Sequence, residues 1–204
     1  MKLFTRPGTC SLATDIALRE AAIPFELVKV SRHTGKTSDG VDFNEINSKG
    51  YVPALLLDSG ELLTENAALL QYIADLNPAA KLAPPAGTLE RYRLAEWLAY
   101  INSEVHKGFS PSFIPNAPEE VKQYARSNLT KRVGWVSEHL GSKPFLLGEQ
   151  FSVADCYLFV VLSWSPHAGF DLSPWPNLLA FQERVGARPH VIEAMTAEGL
   201  LRKK

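Results

Sequence analysis

The sequence predicts two domains, a small mixed α/β one over residues 1–80 and an all-helical one over residues 88–204. Three observations carry that prediction. Short strand and helix patterns alternate as far as Asn77. Residues 78–87 (PAAKLAPPAG) then hold three prolines, one glycine and few large apolar groups, the composition of a linker. Every long periodic pattern beyond that point has helical spacing.

In the first half, Met1-Lys2-Leu3-Phe4 is a strand that Arg6-Pro7-Gly8 breaks. Leu12, Ala13, Ile16, Ala17 and Ala21 recur at helical spacing up to Pro24, and Phe25 to Val30 (FELVKV) has strand composition. Residues 31–50 are polar and glycine-bearing, and their conformation stays open. Ala54–Leu57 and Glu61–Leu63 flank Asp58-Ser59-Gly60, a hairpin signal. Glu65 to Asn77 follows as a helix with Leu69, Ile73 and Leu76 on one stripe. The order β-α-β, hairpin, α describes a small sheet carrying helices.

In the second half, Leu94, Trp97, Leu98, Ile101 and Val105 form one apolar face across residues 89–107. Val121, Ala125, Leu129, Val136 and Leu140 mark a second long helix that Gly141 closes. Ser152-Val153-Ala154-Asp155 is a capping box opening an apolar helix that runs to about Ser165-Pro166. Pro176 and Pro189 each open a shorter helix.

Composition excludes several classes. With 204 residues, 46% hydrophobic and 21% charged, the chain can bury a core and is not disordered. Twenty-one Lys+Arg against 22 Asp+Glu leave a net charge of −1. That balance gives no electrostatic footprint for nucleic acid or an acidic membrane surface. No apolar run reaches the roughly 20 residues of a membrane helix. Arg6 and Asp15 interrupt the stretch a signal peptide would need, so a cytoplasmic location is expected. Two cysteines, Cys10 and Cys156, make neither a disulfide framework nor an all-thiolate metal site, and the five scattered histidines add no metal spacing.

Four features bear chemistry. Cys10 follows a strand-breaking Pro-Gly and opens the first helix, where unpaired N–H groups and the positive end of the helix dipole favour a thiolate. The other reading is a small buried apolar residue. Val52-Pro53 stands before the strand Ala54–Leu57. Taken alone it reads as a strand-initiating trans proline; if cis, it would turn the Val52 backbone toward a peptide-like ligand. Thr64-Glu65-Asn66 gathers hydroxyl, carboxylate, amide and N–H groups at a helix start, suited either to plain capping or to a ligand bearing both carboxylate and ammonium. His106 shares a helix face with Ala99, Asn102 and Ser103, where it could orient or deprotonate a thiol or merely satisfy a structural hydrogen bond. Cys156, within Tyr157-Leu158-Phe159-Val160-Val161, reads as core.

The order of these features resembles a known family. MKLF, Pro7-Gly8-x-Cys10-Ser11-Leu12, Asn47-x-Lys49-Gly50-x-Val52-Pro53-Ala54-Leu55 and Leu63-Thr64-Glu65 are similar to the N-terminal domain of a glutathione transferase. Glu104-x-His106-Lys107-Gly108-Phe109 and Phe151-Ser152-Val153-Ala154-Asp155-x-Tyr157-Leu158 match the same family over the second half. Cys10 with His106 resembles its bacterial, beta-type branch.

The resemblance implies an α/β thioredoxin-like N-terminal domain joined to an all-α C-terminal domain. It also implies a homodimer and a cleft between the domains that takes glutathione as co-substrate, with no further cofactor and no metal. Carried over by position, Cys10 would lie beside the glutathione sulfur with His106 near both. Val52, before the family's cis proline, would pair with the cysteinyl backbone. Glu65 and Asn66 would hold the γ-glutamyl end, Ser103 and Glu104 would complete that subsite, from the same or a partner subunit, and Lys36 would meet the glycyl carboxylate. Phe109, Phe113 and Trp164 are candidates for an apolar pocket. Three positions depart from the branch: Thr5 replaces its common tyrosine, Ala99 its frequent asparagine, and the lysine of the 35–36 region is displaced, with Gly35-Lys36 in place. The implied activity is detoxifying conjugation of the glutathione thiolate to small hydrophobic electrophiles. The competing readings are a thiol–disulfide enzyme working through a Cys10 mixed disulfide and a non-catalytic glutathione-binding or ligand-binding protein.

Overall fold

β1 (Lys2–Thr5) lies at the middle of a four-stranded sheet of order β2-β1-β3-β4. It pairs in parallel with β2 (Glu26–Lys29), Thr5 standing opposite Lys29. A parallel pair needs a crossover, which α1 (Ser11–Glu20) supplies. On its other side β1 runs antiparallel to β3 (Ala54–Leu56), which forms a hairpin with β4 (Leu62–Thr64) across Asp58-Ser59-Gly60. The computed structural model describes residues 1–201.

Strand alternation gives the sheet two apolar faces. Phe4, Val28, Val30, Val52 and Ala54 pack together with Phe43 from the short α2 (Phe43–Ile46). Residues 31–50, open in the sequence, reach α2 through two isolated bridges, Val30 with Thr37 and Lys36 with Asp42. Asp42 caps α2 by accepting from the Asn44 N–H at 2.9 Å. α3 (Asn66–Leu76) buries Leu69, Leu70 and Ile73 and packs against α1, whose Leu12, Ala13, Ile16 and Ala17 are also buried.

The molecule divides into two compact units, 1–82 together with the chain from Arg188 onward, and 83–187. The sequence predicts one domain over 88–204, whereas the chain from Arg188 groups with the first unit. α10 (Pro189–Glu198) packs on α1. Arg188 makes a two-pronged ion pair with Glu20, both contacts at 2.7 Å. Local periodicity identifies a helix but does not say which core covers its apolar stripe.

The second unit is helical. The helix expected over 89–107 is three segments: α4 (Leu89–Tyr100), a π-helical turn over Ile101–His106, and α5 (Lys107–Phe109). Leu94, Leu98, Ile101 and Val105 stay buried through the change. Gly108 allows a close approach to α6 (Glu119–Leu140): a Cβ there would stand 3.0 Å from Leu129 Cδ1. α7 (Val153–Leu162) is buried at every residue. Its capping box is formed: Asp155 accepts from the Ser152 N–H and hydroxyl at 2.8 and 2.7 Å and from the Leu146 N–H at 2.8 Å. α8 (Ser165–Ala168) and α9 (Pro176–Gly186) complete the unit. Among the described residues, no helix is long and apolar enough to cross a membrane, and no group of His, Cys, Asp and Glu has a metal-binding arrangement.

Candidate active site

In the first unit the site is built at the carboxyl end of β1. The chain leaves Thr5, turns through Gly8 at φ +71°, and reaches Cys10, the N-cap of α1. A side chain at Gly8 would be strained, since L-residues rarely adopt that conformation. The Cys10 thiol donates to the carbonyl of Val52 at 3.4 Å. The Val52–Pro53 bond is cis. The dipeptide by itself favours trans, and only the family resemblance implied this isomer.

Glu65 is the second anchor. It is a non-glycine residue at φ +71°, a conformation costing on the order of 1–3 kcal/mol that folds retain mainly at functional positions. Its carboxylate accepts from Lys49 Nζ at 2.8 Å, and the same ammonium reaches Thr64 Oγ1 at 3.0 Å. Both partners of this ion pair are more than half exposed, so the pair itself contributes little to stability. A ligand ammonium can therefore replace Lys49 at low cost. Asn66 is turned inward. Its amide donates to the Cys10 carbonyl at 2.8 Å and accepts from Thr14 Oγ1 at 2.7 Å. The side chain thus ties α3 to the Cys10 turn, and what Asn66 can offer a ligand is its backbone N–H in the first turn of α3. Lys36 lies elsewhere, lining a depression of about 510 Å³ with Lys29, Arg32 and His33.

Thr5 is fully buried, and its hydroxyl lies 2.6 Å from both Ser11 Oγ and Glu198 Oε1. Glu198, the last residue of α10, also accepts the Gly8 N–H at 2.8 Å. Burial pushes the Glu198 carboxyl up to about 7, and nearby Asp15 adds to the rise. Thr5 thus braces the Cys10 turn from below.

In the second unit, the π turn carries Asn102, Ser103, Glu104 and His106. π turns occur mostly as single turns and frequently at functional sites. His106 Nδ1 lies 2.7 Å from the Tyr157 hydroxyl, which donates to Asn102 Oδ1 at 2.9 Å. Burial, aided by Lys107, pushes the imidazole down to about 4, so it is neutral near pH 7. Trp164 meets the His106 ring edge-on at 4.9 Å, and Phe109 and Phe113 pack edge-on against the same indole at 6.0 and 6.1 Å. The three pocket candidates therefore cluster, although Phe109 is fully buried and belongs to the core. Ser103 and Glu104 turn away from that cluster. Glu104 pairs with Arg132 Nε at 2.7 Å, and the Ser103 hydroxyl donates to Glu104 at 3.4 Å. Both line a depression of about 270 Å³ with Lys107, Tyr124 and Asn128.

Family models of the glutathione S-transferase N-terminal domain and C-terminal domain match residues 8–76 and 96–189. The glutathione S-transferase GstA of Escherichia coli O157:H7 is 45% identical over 98% of this chain and 100% of its own. The chain belongs to the glutathione S-transferase family. Two solved structures place it within the family. The bacterial beta-class transferase of Sphingomonas chungbukensis superposes with a TM-score of 0.95 at 51% identity, covering 98% of this chain and 100% of its own. A sphingomonad transferase complexed with glutathione gives 0.95 at 47% identity, with the same coverage of each chain. The protein is a bacterial beta-class-like glutathione S-transferase, with a thioredoxin-like unit and an all-helical one.

In this transferase Cys10, Val52, Glu65 and Asn66 meet around the start of α1 and α3, whereas Lys36 stands in its own depression. Three contacts around these residues are not legible in the sequence. Lys49 was visible in its motif, but nothing local pairs it with Glu65. Asn102 and His106 stand four apart, a spacing that invited a shared partner without identifying Tyr157. Glu198 carries no local signal, because its contacts lie about 190 residues away in sequence.

Proposed function

We propose that this transferase holds the cysteinyl backbone of glutathione on Val52 and the γ-glutamyl ammonium on Glu65, and sets the sulfur beside Cys10. The observation that carries the reading is the Cys10 thiol at 3.4 Å from the Val52 carbonyl, next to a cis proline. A sulfur site and a peptide-pairing backbone then adjoin each other, as an extended thiol tripeptide requires. The first-turn N–H groups of α3, that of Asn66 included, suit the γ-glutamyl carboxylate. Lys36, in a depression with three other basic side chains, is assigned the glycyl carboxylate.

His106 serves the same sulfur as a hydrogen-bond partner. A ring titrating at about 4 does not hold a thiol proton at rest, because a free thiol titrates near 8.5. It can accept that proton as the carbon–sulfur bond forms and the S–H becomes acidic, then release it to water. With a chloronitrobenzene, sulfur bonds to the ring carbon and chloride leaves with the ring–chlorine electron pair. The co-substrate is a small apolar electrophile, consistent with the aromatic cluster of Trp164, Phe109 and Phe113. The working form is a cytoplasmic, detoxifying homodimer in which Ser103 and Glu104 complete a glutathione subsite.

Calorimetry on Glu65→Ala tests the subsite. Losing an ammonium–carboxylate contact should weaken glutathione binding by more than about 1 kcal/mol, roughly fivefold or more in Kd. Unchanged affinity would refute the assignment. Comparing conjugation of a chloronitrobenzene with reduction of a glutathionyl mixed disulfide separates transferase from disulfide chemistry, and a binder alone shows neither. Sedimentation should give twice the mass of one chain. A fully active monomer would refute the dimer.

A further inference from the structure

What His106 offers a sulfur depends on which ring nitrogen carries its proton. A phenol has one proton, and the Tyr157 hydroxyl gives it to Asn102 Oδ1, an acceptor, at 2.9 Å. Its 2.7 Å contact with His106 Nδ1 must then be one in which the imidazole donates. The neutral ring has a single N–H, so with Nδ1 protonated Nε2 is left with its lone pair.

The surroundings hold this arrangement in place. Tyr157 is fully buried in α7, itself buried throughout, so bulk water does not compete for the hydroxyl. Asn102 and His106 both lie in the π turn, four residues apart, and reach the same oxygen. Trp164 and Tyr157 contact the imidazole edge-on, at 4.9 Å and 70° and at 5.9 Å and 86°, which fixes the plane of the ring.

We infer that Tyr157 and Asn102 are positioning residues that keep His106 in the Nδ1–H form and present Nε2 as the acceptor for the glutathione S–H. The inference rests on the reading of His106 as partner of the glutathione sulfur. It assigns the tautomer to a relay, Asn102 to Tyr157 to His106, in which only the last member meets the substrate.

Long-range proton–nitrogen NMR on the full-length protein carrying ¹⁵N-histidine reads the tautomer directly, without glutathione. Wild type should show His106 protonated at Nδ1. Asn102→Ala frees the Tyr157 proton to be donated to Nδ1, so the ring should move to the Nε2–H form. Asn102→Asp keeps an acceptor and should keep the Nδ1–H form. Tyr157→Phe should lose the preference while retaining the shape of the core. With 1-chloro-2,4-dinitrobenzene, kcat should fall about two- to tenfold in Asn102→Ala and recover in Asn102→Asp, the range one hydrogen bond commands. The KM for glutathione should move less than kcat, because the acceptor acts as the proton leaves.

An Nε2–H ring in wild type, or a ring that stays Nδ1–H in Asn102→Ala, overturns the inference. So does a tautomer switch that leaves kcat unchanged. A wild-type protein with the expected tautomer and no conjugation overturns the role given to His106 itself. A wrong tautomer with full activity overturns only the relay.

Discussion

Replacing Glu198 by Gln removes a buried titration from beneath the Cys10 turn while keeping an acceptor for the Gly8 N–H. Burial raises this carboxyl from 4.5 to about 7. At about 1.4 kcal/mol per unit, the ionised form costs the folded state about 3 kcal/mol relative to the unfolded chain. The direction follows from proton binding. Between about pH 4.5 and pH 7 the folded chain holds a proton on Glu198 that the unfolded chain has released. Raising the pH through that window therefore destabilises the wild type and leaves Glu198→Gln unaffected. Asp155, raised to about 6, titrates in both proteins and cancels in the difference. Urea unfolding at a single protein concentration should show Glu198→Gln gaining about 2–3 kcal/mol on wild type between pH 5 and pH 8. A difference that stays flat would refute the raised pKa. Glu198→Ala should behave differently, removing the carboxylate that accepts from both the Gly8 N–H and the Thr5 hydroxyl and losing on the order of 2–4 kcal/mol at low pH.

Thiol reagents should modify Cys10, which opens α1 and is partly exposed, at least about tenfold faster than the fully buried Cys156, as read by peptide mapping after brief alkylation. A faster Cys156 would refute the placement of the reactive sulfur. Asp155→Ala strips acceptors from the Leu146 N–H, the Ser152 N–H and the Ser152 hydroxyl, and should cost on the order of 2–4 kcal/mol in denaturant unfolding. A loss below about 0.5 kcal/mol would show that the box does not hold the start of α7.

What the sequence determined by itself was mostly local. Periods of two and 3.6, turn residues and helix stops located β1, α1, the β3–β4 hairpin, α3 and the long α6, because each pattern is set within about ten residues. The order of the motifs that carry Cys10, Val52, Glu65 and His106 resembles a glutathione transferase, and the chain belongs to that family. The tertiary structure decided the rest. It put α10 on α1, turned Asn66 inward, spent Thr5 on Glu198 and joined His106 to Tyr157. It also replaced one regular helix by a π turn at the residues that carry the imidazole. These outcomes depend on contacts spanning about 50 to 190 residues of chain. A side chain's partner and protonation follow from the groups that burial brings against it, and no local pattern encodes them.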